Sequence, residues 1–217
     1  MLSIGKNKTK VIIFGEHKTP VRRRPTRLQH ITLLLCASAT GRAMKPMVVL
    51  PLKNKPQFSD QVERYYDMYA GNSSGWMNEE SFKWWLDNCF LPHVDKVRSE
   101  LQIDSPVMLI LDGHSSRNNI DVKYYYENYS VTFLFLPSHA SHLLQPMDLS
   151  VNATYKNYFG KNYRHEPNLD DQQKREQLLY SSMLALSHAL CMDIIMKGFK
   201  QAAIVPFNEN VLESSCS

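Results

Sequence analysis

The sequence predicts an α/β protein, a mixed sheet with helices on its faces. Three observations carry this expectation. Short apolar, β-branched or Leu-rich runs bounded by turn residues recur through the first half. A strand–helix–strand pattern opens at Val107, and two long amphipathic stretches close the chain.

The strands are expected at Ile31 to Cys36, Met47 to Leu52, Val107 to Leu111 and Val131 to Leu136, the last running up to Pro137. Val11 to Phe14, ended by Gly15, adds a shorter candidate. Between the second and third long runs lies a helix with Asn78 as N-cap. Glu79 and Glu80 suit the positive end of its dipole, and Phe82, Trp85, Leu86, Cys89 and Phe90 come after them at helical spacing. Pro92 is expected to break or bend it, and Trp84 and Trp85 read as core. Val122 to Tyr126 completes a β-α-β unit, and Asn152 to Tyr163 and Gln172 to Ile195 read as terminal helices. Glu166 to Asp171, with Pro167 and Asn168, is the candidate linker, dividing a core of residues 1–165 from a helical extension, 166–217, that packs on it. Strands first, then a β-α-β unit, then helices is an order that suits a ribonuclease H-like fold.

The 217 residues, 43% hydrophobic and 21% charged, fit one globular unit with its own core. A formal charge of +4 is only mildly basic, but Lys6, Lys8, Lys10, Lys18, Arg22, Arg23, Arg24 and Arg27 form a basic arm. The four cysteines are scattered, without a CxxC pair, which excludes a disulfide framework and favours a reducing compartment. No signal-peptide core succeeds Met1 and no run is long enough to span a bilayer, so an intracellular protein without a membrane partner is expected.

Two aspartates stand out. Asp112 ends the Val107–Leu111 strand, at the carboxyl edge where α/β sheets hold ligands. Asp148, separated from it by thirty-five residues and set in Gln145-Pro146-Met147-Asp148, sits just before the helix predicted from Asn152. Paired carboxylates suit Mg2+, or Mn2+, a hard cation that takes oxygen ligands, and two-metal phosphoryl transfer asks for a third carboxylate beside them. A turn-capping role uses the same residue type.

Longer motifs surround both aspartates. Leu111 to Ser116, Leu136 to Asp148 and the closing Gly198 to Asn208, together with Ile31–Pro51 and Gly75-Trp76-Met77, resemble the DDE-type endonuclease domain of pogo, Tigger and jerky transposases and the domesticated centromere protein B group. The resemblance implies that Asp112 and Asp148 are the second and third catalytic carboxylates, ligands of Mg2+ or Mn2+ in phosphodiester hydrolysis and strand transfer on DNA in the nucleus. It also implies that the first carboxylate precedes the equivalent of Ser3-Ile4-Gly5. This sequence opens on Met1-Leu2 instead, so the first, central strand is expected to be missing or incomplete, the metal weakly held and cleavage impaired.

Glu16 is a conceivable substitute carboxylate, against a solvated turn residue, while Asp121 is expected on the outer face of a helix. His139 and His142 share a HxxH spacing without a third ligand, which favours ordering of the Asp148 loop over zinc. His114 and Ser115 could orient Asp112 or cap the strand exit. Arg22, Arg23, Arg24, Arg27, Lys156 and Lys161 are the candidate phosphate contacts, weighed against a merely solvated basic face. The alternative function is a non-catalytic, domesticated DNA-binding or chromatin protein, and a homodimer stays open for either.

Overall fold

The computed structural model describes residues 2–4, 31–71, 73–112, 119–137, 140–164, 166 and 168–208. Its strands are β1 (Leu2–Ile4), β2 (Ile31–Leu34), β3 (Met47–Leu50), β4 (Asp67–Ala70), β5 (Val107–Leu111) and β6 (Val131–Phe135). Its α-helices are α1 (Asp60–Tyr65), α2 (Glu79–Trp85), α3 (Leu91–Leu101), α4 (Val122–Tyr129), α5 (Ser141–Leu144), α6 (Asn152–Asn162), α7 (Asp171–Ala189) and α8 (Met192–Gln201). The expected mixed α/β class is observed. Val11–Phe14, with Glu16 and the four arginines of the basic arm, lies outside the described residues.

β1 to β4 form one sheet in chain order, β1–β2 and β2–β3 antiparallel and β3–β4 parallel; β5 and β6 form a separate parallel pair joined through α4. The two faces of β2 and β3 show why this chain builds a two-sided layer. Ile31, Leu33, Val48 and Leu50 point to one face and pack with α6, α7 and α8 residues such as Tyr155, Leu179, Leu186 and Ile195. Leu34, Met47 and Val49 point to the other and pack with Phe82, Trp85, Phe90 and Val94, and with Leu109 and Leu111 of β5. Because strand side chains alternate, four-residue runs that are apolar at almost every position supply both cores.

Helix α2 starts as its sequence demands: Asn78 Oδ1 accepts from the Ser81 N–H at 2.8 Å while Ser81 Oγ accepts from the Asn78 N–H at 2.9 Å. Pro92 does not break it. A π-helical segment, Leu86–Phe90, joins α2 to α3, and the Leu91 N–H reaches back to the Leu86 carbonyl. That wider turn passes Pro92 into the first turn of α3, where a missing N–H costs no helical bond.

The helix predicted over Gln172–Ile195 is two helices, α7 and α8, meeting at 69°. Neither Gly nor Pro marks the break. The start of α8 is closely packed: a side chain at Gly41, in the β2–β3 connection at φ +86°, would collide with Met192. No single helix among the described residues is long and apolar enough to cross a membrane.

Arg98 of α3 pins the amino ends of β5 and β6. Its guanidinium donates to the carbonyls of Tyr129 at 2.9 Å and Ser105 at 3.1 Å, and to that of Ser130 at 3.4 Å.

Not every glycine is needed. Gly160 in α6 is exposed, and a methyl group there would meet open space. We expect Gly160→Ala to raise the unfolding free energy by about 0.5–1 kcal/mol, through lower backbone entropy in the unfolded chain. Chemical denaturation of the two proteins side by side measures it.

Candidate functional site

Asp112 is the first residue beyond β5 and is half-buried. The strand end it leaves is tied to β6, since the Leu136 N–H donates to the Leu111 carbonyl at 2.8 Å. Asp112 therefore leaves a two-strand parallel edge whose direction is fixed, as its sequence position suggests.

Asp148 precedes the helix that begins at Asn152, α6, as expected, and it does so as the second residue of a π-helical turn, Met147–Val151, that runs directly into α6. Its N–H donates to the Gln145 carbonyl at 3.0 Å. The Asn152 amide Nδ2 donates to Asp148 Oδ1, and Asn152 is itself buried. Sequence reading missed Asn152; the signal was available as an amide four positions after the carboxylate, which faces it across one turn.

The turn that carries Asp148 is seated on α8. Ser150 Oγ donates to the Pro146 carbonyl at 3.3 Å, and Gly198 lies against both groups, so that a Cβ there would meet Ser150 Oγ at 2.5 Å and crowd the Pro146 oxygen more closely still. The Gly-Phe-Lys-Gln stretch of the closing motif is thus a seat for the Gln-Pro-Met-Asp stretch.

One cavity of about 690 Å³ joins the two acidic segments: Asp112 and Gln145-Pro146-Met147, the residues that lead to Asp148, both line its wall. Asp148 itself is not among the lining residues. Cys36 lies in the same wall, where burial pushes its thiol up to about 12, so it is a neutral thiol at physiological pH. No group of three or more His, Cys, Asp or Glu side chains is placed to hold a metal ion among the described residues. Of the remaining sequence candidates, Asp121 caps α4 by accepting from the Tyr124 N–H at 2.9 Å, which corrects its expected place on a helix face. Lys156 and Lys161 are exposed on α6. His114, Ser115, His139 and the His142 side chain fall outside what is described.

A β-α-β unit that ends on a half-buried aspartate, succeeded by a helix-borne aspartate whose leading segment shares one cavity with the first, defines a carboxylate-bearing α/β domain. The family model described as DDE superfamily endonuclease matches residues 28–201, and the chain belongs to that family. The Jerky protein of Mus musculus is 28% identical over 59% of this chain and 23% of its own length. The Jerky protein homolog of Homo sapiens is 26% identical over the same shares. A Cochliobolus lunatus protein named MFS-type transporter clz9 is 23% identical over 97% of this chain and 23% of its own length. The chain thus spans about a quarter of each of these relatives. No solved structure matches.

Proposed function

We propose that this chain is a transposase-derived DNA-binding domain of ribonuclease H-like architecture, in which Asp112 and Asp148 hold a divalent Mg2+ or Mn2+ ion. The observation that carries the reading is the shared cavity, walled by Asp112 and by the segment that delivers Asp148. The donor chemistry fits: two carboxylates are hard oxygen ligands, and Asn152 orients one of them from behind. Bound there, the metal would supply charge neutralisation and an activated oxygen nucleophile for phosphodiester cleavage. The residues themselves orient: β5 fixes Asp112, the turn seated on Gly198 fixes Asp148, and Asn152 holds one oxygen of the latter in a set direction.

The polyanion is met by cations. Lys156 and Lys161 project from α6, the helix that begins four residues after Asp148, and the arginines Arg22, Arg23, Arg24 and Arg27 add to them in sequence. Phosphate contacts of this kind give affinity that falls steeply with salt and carry no base specificity. A DNA substrate makes the nucleus the place of action, and pairing of two copies on one DNA is compatible with this reading. Residues 166–217 serve as a helical extension of the core at 1–165, a division supported by Leu179, Leu186 and Ile195 packing on Ile31 and Leu33.

Manganese titration monitored by its paramagnetic resonance, run beside plasmid nicking in Mg2+ or Mn2+, tests the assignment. We expect metal affinity to fall at least about tenfold in Asp112→Ala and in Asp148→Ala, the cost of removing one charged ligand. Lys156→Ala with Lys161→Ala should reduce the slope of log affinity for duplex DNA against log salt by ~1–2. Metal binding that is equal in wild type and both aspartate variants would remove the site, whatever the nicking result.

A further inference from the structure

The Gly75-Trp76-Met77 motif takes no part in the site described so far, and its central residue stands apart from the other tryptophans of the chain. Trp85 is 2% exposed and Trp84 is partly buried against the same core, whereas Trp76 is 49% exposed. Packing accounts for the first two indoles. It does not account for the third, which leaves half of a large π-face in solvent.

The place of Trp76 in the fold is fixed on both sides. It lies in the connection from β4 to α2, where Gly75 turns the chain at φ +70° and the Trp76 N–H donates to Ser74 Oγ at 3.2 Å. Met77, the next residue, is 4% exposed and belongs to the same core cluster as Leu109 and Leu111 of β5, the strand that ends on Asp112. A little further on, Glu79 Oε2 accepts from Asn119 Nδ2 at 2.9 Å. Asn119 belongs to the segment that leads from Asp112 to α4, and Ile120 beside it packs on that same cluster. The exposed indole is therefore held, by a buried neighbour and a hydrogen bond, beside the chain that leaves Asp112.

The chemistry of this connection selects a base rather than a phosphate. Residues 71–82 contain no lysine or arginine and include Glu79 and Glu80, so they offer the DNA backbone no counter-charge. What they present is the aromatic face of Trp76, which stacks on any base. Within an intact duplex each base already stacks on its neighbours. An indole gains a partner at a base that is unpaired or frayed, where the cost of unstacking is least.

We propose that Trp76 is a base-stacking residue of the DNA site, and that the DNA this chain prefers carries an unpaired base. The proposal rests on the DNA-binding reading above and adds to it the form of the DNA. Stacking discriminates between paired and unpaired DNA. The phosphate contacts of Lys156 and Lys161 cannot, because the backbone presents the same charge in both.

Fluorescence anisotropy of the whole chain with two labelled duplexes tests this, one fully paired and one carrying a single unpaired adenine at its centre. Buffers with EDTA keep the measurement independent of the metal site. We expect the wild type to bind the bulged duplex about tenfold more tightly. In Trp76→Ala the ratio should fall to about one, while the slope of log affinity against log salt is retained because no charge is removed. Trp76→Phe, which keeps a stacking face, should retain at least about a threefold preference. Lys156→Ala should weaken both duplexes alike and keep the ratio. Tryptophan emission should fall when bulged duplex is added, and that fall should be lost in Trp76→Ala. Thermal unfolding confirms that each variant folds. An undiminished preference in folded Trp76→Ala, or an equal loss on both duplexes, would overturn the stacking role. So would a wild type that binds both duplexes equally with salt-dependent affinity, which would leave the DNA-binding reading in place. Binding of neither duplex would remove that reading and the stacking role together.

Discussion

Gly198→Ala should cost about 3 kcal/mol, the upper end of the usual range for forcing an extra methyl into a packed contact. The side chain would have to share space with the Pro146 carbonyl and Ser150 Oγ. Neither can retreat cheaply. The carbonyl is backbone at the start of the π-helical turn, and Ser150 is buried with its hydroxyl committed to that same carbonyl. The relief available is separation of α8 from the turn, which moves Asp148. For a chain of this size we expect the melting temperature to fall by about 6–12 °C. We further expect divalent metal affinity to drop although no ligand is changed. Calorimetry measures the first and the manganese titration the second, with Gly160→Ala as the control for an alanine in a helix with room around it. An unchanged melting temperature would mean that α8 does not seat the turn.

Trp85→Ala should be the most destabilising single truncation, about 4 kcal/mol, or roughly 10 °C in melting temperature. The indole is 2% exposed and lies between Phe82 and Phe90, with ring centroids 5.5 and 5.3 Å away. It closes one core on the side of the sheet where Leu34, Met47 and Val49 point, and it also lines the cavity that Asp112 borders. Its neighbour Trp84 is a control, because it is only partly buried beside Tyr69 at 5.6 Å. Trp84→Ala should lose less than half as much. Denaturant unfolding of both variants distinguishes a packing role from a general aromatic contribution.

How much of the molecule is legible in its sequence depends on where the information resides. β5 is read to the residue, and β2, β3 and β6 to within two residues, because their apolar runs and bounding turns are local signals. The Asn78 start of α2 is equally local, and the core reading of Trp85 is borne out. What escapes the sequence is what neighbours decide. The Asp67–Ala70 strand has no apolar alternation and forms because β3 offers a parallel edge. The α7–α8 bend has no Gly or Pro in its own residues to announce it. Both π-helical turns are invisible, and one of them changes the setting of Asp148 from a loop before a helix to a helical turn. Asp112 and Asp148 stand out from strand-end position and resemblance. That their segments share a cavity wall needs the packing of α8 under the turn, which no spacing rule contains.

Arg98 adds one consequence for how the domain can respond to anything it binds. A single guanidinium, only 14% exposed at its side chain, is hydrogen-bonded to three carbonyls at the amino ends of β5 and β6. Those ends are clamped together like the spine of a book. Adjustment to a ligand is therefore confined to the opposite, carboxyl ends, where Asp112 leaves its strand. An exchange for lysine, a point donor without the planar fork, would free the spine and spread that compliance over the whole pair.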